Sequence, residues 1–368
     1  MRTDILIIGG GLSGLTLAYR LAREQRSFLL IEARDRLGGR IFSQSAGDEA
    51  EKTNPRYDLG PAWVWPALQP LMQQLLTDLK LTVFAQYTQG AILYEDAGQS
   101  APQRHQDPSA HGRSSRINGG AVRIIEQLTA ALPAECLLLN RCAVRVIKQT
   151  STVEVEMLDA QASRTRITAD KVVLALPPRL LAVNMGFEPP LPATLRKLWR
   201  DTPTWMAGQA KVVVLYATPF WRTQGLSGEA YSRRGPLTEI HDASPAHGGP
   251  YALFGFPGIS ADTRRQLGEA ELRRLCLAQL RRLFGDDALL PLAVLIKDWS
   301  DDGFTAIDDD RLAPAHHPDY GLMAGERTLW NGQLIRAGSE SAETSGGYVE
   351  GALVAAQAAL DQITRMPR

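Results

Sequence analysis

Residues 3–14 read Thr3-Asp4-Ile5-Leu6-Ile7-Ile8-Gly9-Gly10-Gly11-Leu12-Ser13-Gly14, and this stretch decides the fold. Thr3 to Ile8 is a short apolar run that ends in glycine, which predicts a buried strand. Leu12, Leu15, Ala18, Leu21 and Ala22 then keep helical spacing, and Phe28 to Ile31 predicts a second buried strand. Strand, glycine turn, helix and strand make a βαβ unit at the start of the chain, the opening of a doubly wound dinucleotide fold. The glycines fit G-x-G-x-x-G in the context that gives the pattern meaning, between a strand and a helix. Gly9 serves the tight turn, Gly11 lets backbone approach a pyrophosphate, and Gly14 permits close packing of helix on sheet. The helix opening at Leu12 and Ser13 offers free N–H groups and a partial positive charge to phosphates.

Glu32 closes the second strand. Its carboxylate suits both hydroxyls of an adenosine ribose and repels a 2′-phosphate, which argues against NADP. The glycine pattern alone does not separate FAD from NAD. The next residues are Glu32-Ala33-Arg34-Asp35-Arg36-Leu37-Gly38-Gly39-Arg40. A glycine pair lets backbone come close to a ligand, and Arg40 directly behind it suits a phosphate fork.

The 368 residues, 44% apolar and 22% charged, suit a soluble chain of two domains. Lys plus Arg and Asp plus Glu each total 40, so no net charge drives binding to nucleic acid or to a membrane surface. Cys136, Cys142 and Cys276 make no disulfide framework, and neither they nor the six histidines show metal spacing, so no metal is expected. A reducing, cytoplasmic setting fits. No uninterrupted apolar run approaches the roughly 18 residues of a membrane span. Four glycines interrupt the N-terminal run that would otherwise pass for a secretory signal, and the chain ends in a short polar tail.

Further along, the spacing predicts a helix over Leu71–Leu79, strands near Val83 and at Ala91–Tyr94, and a surface loop over residues 97–116. It then predicts a helix over Val122–Leu132, a hairpin of Cys142–Ile147 with Val153–Leu158, and a buried strand Lys171–Leu176 stopped by Pro177-Pro178. A β-branched strand Lys211–Tyr216, a helix Leu272–Leu283, a strand Ala293–Ile296 and a small-residue helix Gly351–Leu360 complete the reading. Cys276 falls on the apolar face of its helix, as a small core residue.

These motifs together resemble the flavin-containing amine oxidases, the monoamine oxidase-like family. Asp58-Leu59-Gly60-Pro61-Ala62-Trp63 is similar to the family segment that passes the flavin ring. Asn118-Gly119-Gly120, the apolar strand ending in Pro177-Pro178, and Pro219-Phe220-Trp221-Arg222 follow in the family's order. Gly338-Ser339-Glu340-Ser341-Ala342 and Gly346-Gly347-Tyr348-Val349-Glu350-Gly351 resemble its two C-terminal signatures. The resemblance implies an α/β architecture, a Rossmann-like FAD-binding domain with an inserted α+β substrate domain. It implies FAD-domain segments at 1–78, 117–198 and 299–368 and substrate-domain segments at 79–116 and 199–298. Ala143, Trp299 and Val349 join the implied cofactor contacts. The helix after Tyr348 would aim its positive end at the flavin, with Gly346-Gly347 allowing backbone to come near.

Lys211 opens the run Val212-Val213-Val214-Leu215 in a chain with only 7 Lys among 40 basic residues. A buried Lys is costly without a partner or function. On the residues alone it reads as an edge-strand gatekeeper or a snorkelling side chain; the resemblance implies that it serves flavin reoxidation by dioxygen. Tyr348 matches one wall of the family's amine-orienting aromatic cage, with Phe304 or another aromatic as the second wall. No Cys lies near Phe304, where members with covalent flavin carry one, so the expected FAD is non-covalent. Trp63-Val64-Trp65 stands where amino-acid oxidases place a carboxylate-binding Arg, which points to amines without a carboxylate. The expected activity is oxidative deamination of a small or aromatic amine by hydride transfer to flavin N5, with dioxygen as acceptor and hydrogen peroxide as product. A desaturase or dehydrogenase, an amino-acid oxidase using Arg56, and a non-catalytic flavin-binding protein remain as alternatives.

Overall fold

Burial alternates or persists along each segment as its residues demand. The computed structural model describes residues 1–368 except 46–54, 99, 107, 110, 313, 315, 321–327 and 366–368, so the polar C-terminal tail lies outside the described residues. In chain order the first half gives β1 (Arg2–Ile8), α1 (Leu12–Arg23), β2 (Phe28–Ile31), α2 (Pro70–Asp78), β3 (Ala91–Glu95), β4 (Gln103–His105), α3 (Val122–Ala130), β5 (Leu137–Leu138), β6 (Cys142–Lys148), β7 (Val153–Leu158), β8 (Arg164–Leu174) and β9 (Gly186–Glu188). The second half gives β10 (Ala210–Tyr216), β11 (Leu226–Ser232), β12 (Leu237–Asp242), β13 (Tyr251–Pro257), α4 (Ala261–Phe284), β14 (Ala293–Asp298), β15 (Leu334–Arg336) and α5 (Val349–Arg365).

The first sheet runs β9-β6-β7-β8-β1-β2-β5, and β15 also pairs with β8. β1 is parallel to β2 and β8, with Ile7 opposite Leu30 and Val173. Both faces are covered, so these strands are apolar throughout. One face packs on α1, α3 and α5 through Leu15, Leu128, Leu353 and Ala356; the other carries Leu6, Ile8, Val172 and Trp199. The C-terminal helix thus closes against the first one. Buried Glu350, in its first turn, accepts the Leu71 and Met72 N–H groups at 2.9 and 2.8 Å, which satisfies free donors at the start of α2.

The second sheet runs β14-β10-β13-β12-β11-β3-β4. Side chains alternate across it, as the two-residue period requires. Val212, Val214 and Tyr216 pack on α4 through Leu272, Cys276 and Leu280. Val213, Leu215 and Phe254 face the opposite way, toward Tyr57 and Leu59. Lys211 shares that second face. This sheet therefore turns one surface to its own helix and the other to the nucleotide-fold segment.

Three expectations about elements change. The 97–116 loop contributes β4 and a strand Ser115–Ile117, because sheet edges recruit polar residues through backbone hydrogen bonds alone. The strand expected from Lys171 begins at Arg164, where polar residues pair antiparallel with β7 before the apolar part joins β1. The helix expected from Leu272 begins at Ala261, capped by Ser260 Oγ accepting the Thr263 N–H at 3.1 Å; Gly268, at φ +74°, breaks it. Cys276 is fully buried as expected, and burial pushes its thiol up to about 12. Among the described residues, no helix is long and apolar enough to cross a membrane.

Candidate active site

A cavity of about 630 Å³ runs from the β1–α1 turn to the inner face of the second sheet. Its phosphate end is built by local sequence. A Cβ on Gly14 would stand 2.0 Å from the Gly9 carbonyl oxygen, so α1 reaches this close only with glycine there. A Cβ on Gly11 would meet nothing within 4 Å, which leaves room for a ligand against the backbone. The first turn of α1 holds no acidic residue and no side-chain cap, so its own N–H groups and positive end face the cavity. Glu32 is buried in the same wall. Its Oε2 accepts the Gly10 N–H at 2.7 Å and its Oε1 the Arg34 N–H at 3.0 Å, which fixes the carboxylate in the cavity wall. These features fit a dinucleotide.

Arg40 is held rather than free. Its guanidinium donates to Ser339 Oγ at 2.9 Å and to the Trp205 carbonyl at 3.1 Å, and pairs with the fully buried Glu340 at 2.8 Å. The C-terminal signature is thereby locked onto the glycine pair before Arg40. Arg34 donates to Asp302 and Thr305 at 2.7 and 2.9 Å.

At the other end, Lys211 is 3% exposed. β10 lies between β13 and β14, so this is an interior strand, and neither the gatekeeper nor the snorkelling reading applies. Its Nζ donates to the Gly60 carbonyl at 3.1 Å and sits 4.1 Å from the centre of the Phe254 ring. Burial pulls its pKa from 10.5 down to about 7, opposed in part by Asp58. Trp299 Nε1 donates to the Leu59 carbonyl at 2.9 Å, and Trp63 Nε1 to Gln86 Oε1 at 2.9 Å. Both indoles thus have their polar atom satisfied.

Gly9, Gly11, Leu12, Ser13, Glu32, Arg34, Gly39, Arg40, Gly60, Pro61, Ala62, Trp63, Lys211, Trp299, Gly338, Ser339, Glu340, Tyr348 and Val349 all line this one cavity. Gly14, Ala33 and Ala143 do not: Gly14 serves packing, and the Ala143 side chain packs on the core around Ile8 and Ile31. Phe304 is not a cage wall. Its ring lies 5.4 Å from the Arg34 guanidinium, at the nucleotide end. The aromatic neighbours of Tyr348 are His317, stacked at 4.5 Å and 8°, and Trp205 at 6.3 Å. Close approach at Gly346 and Gly347 accommodates Tyr320 and Trp205, which a Cβ at either position would strike. Arg56 pairs with Glu126 and does not line the cavity.

Sequence reasoning missed His111, Glu239 and His241. Their ligand atoms lie within 4.8 Å of one another, and His111 and Glu239 line the cavity. His111 stacks on Trp63 at 3.8 Å. The histidines lie far apart in the chain, so no local spacing signals the cluster; the alternation of Glu239 with His241 was the available sign.

The family described as flavin containing amine oxidoreductase matches residues 82–364, and a Rossmann-like NAD(P)-binding domain matches residues 7–79. AofH of Mycobacterium tuberculosis, whose name places it among flavin-containing monoamine oxidases, is 31% identical over 69% of this chain and 53% of its own length. The chain thus spans about half the length of that relative. Putrescine oxidase of Kocuria rosea is 24% identical over 82% of this chain and 83% of its own. Among solved structures, putrescine oxidase bound to putrescine superposes with a TM-score of 0.80 at 23% identity, covering 99% of this chain and 100% of that one. Cyclohexylamine oxidase from Brevibacterium oxydans gives 0.78 at 20%, covering 99% of each.

Proposed function

The chain belongs to the flavin-containing amine oxidoreductase family, and from that premise we propose that it is an FAD-dependent oxidase of amines that carry no carboxylate. The observation that carries the reading is the single cavity that joins the glycine turn and Glu32 to buried Lys211, Trp299 and Tyr348. The α1 N-terminus would hold the pyrophosphate, Glu32 the adenosine ribose, and Gly60–Trp63 with Gly338–Glu340 the flavin end. FAD held there would supply the acceptor for a hydride from the amine carbon and, with two protons, the electrons that reduce dioxygen to hydrogen peroxide.

The chain's own residues bind, orient and exclude water. Trp63, Trp299 and Tyr348 supply flat apolar walls that place an amine and keep solvent out. Lys211 Nζ, anchored on Gly60, holds or releases a proton near neutral pH inside the dry wall. The cavity arginines, Arg34 and Arg40, are engaged by Asp302 and Glu340, which leaves no free fork for an amino-acid carboxylate among the described residues. The same reading retains the discontinuous division, with 1–78, 117–198 and 299–368 for FAD and 79–116 with 199–298 for substrate. It also keeps the cofactor non-covalent, because among the described residues none that lines the cavity is a cysteine, the residue through which the covalent members resembled by this chain attach their flavin.

Peroxide release over primary, secondary and polyamines, beside anaerobic bleaching of the flavin, tests the activity. Bleaching by amines with peroxide on readmitting air is expected; a flavin that no amine reduces refutes it. Acid precipitation should leave the yellow colour in the supernatant, and colour retained in the pellet would refute non-covalent binding.

A further inference from the structure

The inner face of the second sheet carries two imidazoles and two carboxylates that the reading above does not use. Glu239 and His241 stand two residues apart in β12, so their side chains share a face. His111 joins them from an earlier part of the chain. His241 Nε2 lies 2.6 Å and His111 Nε2 3.5 Å from Glu239 Oε1, and the ligand atoms of the three residues all lie within 4.8 Å of one another. A tetrahedral zinc ion bonded to nitrogen and oxygen at about 2.0–2.2 Å needs its ligands about 3.3–3.6 Å apart. Small side-chain rotations from the present positions supply that spacing.

Packing fixes both rings. His111 stacks on Trp63 at 3.8 Å and 18°, and His241 meets the same indole edge-on at 5.0 Å. Trp63 is itself anchored by its bond to Gln86. Rings that cannot swing away make a preorganised ligand set.

A further carboxylate backs His241. Ala230 lies opposite Ile240 and Tyr231 opposite Glu239, so extending this antiparallel register by one residue sets Glu229 of β11 opposite His241 on the same face. Residues so placed have Cβ atoms about 4.5–5.5 Å apart. Glu229 is 3% exposed; its Oε1 accepts the Tyr231 hydroxyl at 2.8 Å, and its buried Oε2 has no hydrogen-bond partner among the described residues. A buried acceptor left open is costly. A histidine that binds a metal through one ring nitrogen as a rule donates its other N–H to a carboxylate or carbonyl. Coordination at Nε2 moves the His241 hydrogen to Nδ1, the tautomer exchange of a neutral imidazole, and so offers Glu229 the donor it lacks.

We propose that His111, Glu239 and His241 form a binding site for a divalent zinc ion, backed by Glu229, with the remaining coordination position open to the cavity. Two imidazoles and one carboxylate suit zinc rather than magnesium or calcium, which take oxygen ligands. The ion enters from the cavity, where His111 and Glu239 line the wall and His241 lies buried behind them. With both imidazoles neutral, its arrival turns this part of the wall from an anion into a net cation. Resting on the amine-oxidising reading, bound zinc is therefore a reversible inhibitor that repels an entering ammonium group.

The probe is zinc chloride, added to holoenzyme that has been stripped with a chelator and returned to chelator-free buffer at neutral pH. Calorimetry should show one zinc per chain. Glu239→Gln and His111→Ala should each abolish that binding, and Glu229→Gln should weaken it about ten- to a hundredfold, as loss of a carboxylate behind a ligating histidine does. In turnover of a simple alkylamine, zinc should raise KM about tenfold with kcat changed less, and a chelator should restore it. Holoenzyme that takes up no zinc overturns the proposal, as does zinc binding that survives both Glu239→Gln and His111→Ala, which places the ion elsewhere. The two ligands come from separate segments, so if one variant loses FAD the other still decides. An unchanged zinc affinity in Glu229→Gln removes Glu229 from the site, and zinc bound by the three ligands with KM unmoved overturns the inhibitory role. Zinc bound by these ligands in a protein whose flavin no amine reduces supports the site and refutes the oxidase reading.

Discussion

Replacing Lys211 by Met should stabilise the protein, and by more at acid pH than at alkaline pH. Lys211 is 3% exposed, and burial lowers its pKa from 10.5 to about 7. Between these values the unfolded chain holds a proton that the native state does not. Stability therefore rises with pH through that window; the cost is complete below pH 7 and gone above 10.5. At 1.36 kcal/mol per pH unit, the full cost is about 5 kcal/mol. Met keeps a similar length and does not titrate, and its packing change, under about 1.5 kcal/mol, is independent of pH. The stability gap between variant and wild type should narrow by about 2–3 kcal/mol from pH 6 to pH 9. Urea unfolding at the two pH values, with the same fixed excess of FAD for both proteins, measures it. A gap identical at pH 6 and pH 9 would refute the reasoning, because it would mean that Lys211 titrates in the folded protein as it does in water.

The same variant, reduced without oxygen and mixed with oxygenated buffer at pH 6, where Lys211 still holds its proton, should reoxidise about ten- to a thousandfold more slowly, since removing a charge from a dry site costs several kcal/mol of barrier. A wild-type rate would take Lys211 out of that step and revive the desaturase reading. Glu32→Ala should weaken FAD binding by about ten- to a hundredfold, the equivalent of charge-assisted hydrogen bonds worth roughly 1.5–3 kcal/mol; an unchanged Kd in a flavin-fluorescence titration would disprove the ribose role. Tyr348→Ala should slow flavin reduction by amine while FAD stays bound, because the side chain is 40% exposed in the cavity wall; loss of FAD or of folding would make Tyr348 a structural residue instead.

What the sequence determined by itself is local. The β1–α1–β2 unit, the glycine turn and Glu32 were legible because turn chemistry, helix spacing and a buried parallel strand each leave a signal within a few residues. The cavity residues at Gly60–Trp63 and Gly338–Glu340 were legible through motif resemblance, although nothing local says that Arg40 is the clamp that joins them. Tertiary structure decided the rest. Lys211 read alone permits an edge gatekeeper, and only the pairing of β10 on both sides makes it a buried group with a shifted pKa. Phe304 stands near the cage in the motif order, yet it packs beside Arg34, because the short helical turn after Trp299 carries it to the nucleotide end. Ala143 resembles a cofactor contact, but its side chain turns into the core. His111 and Glu239 meet only because His111 packs on the inner face of a sheet in which β12 comes from much later in the chain. A strand's two-residue period tells which side chains share a face; which strand lies beside it, and what covers that face, is settled by long-range packing that no local window contains.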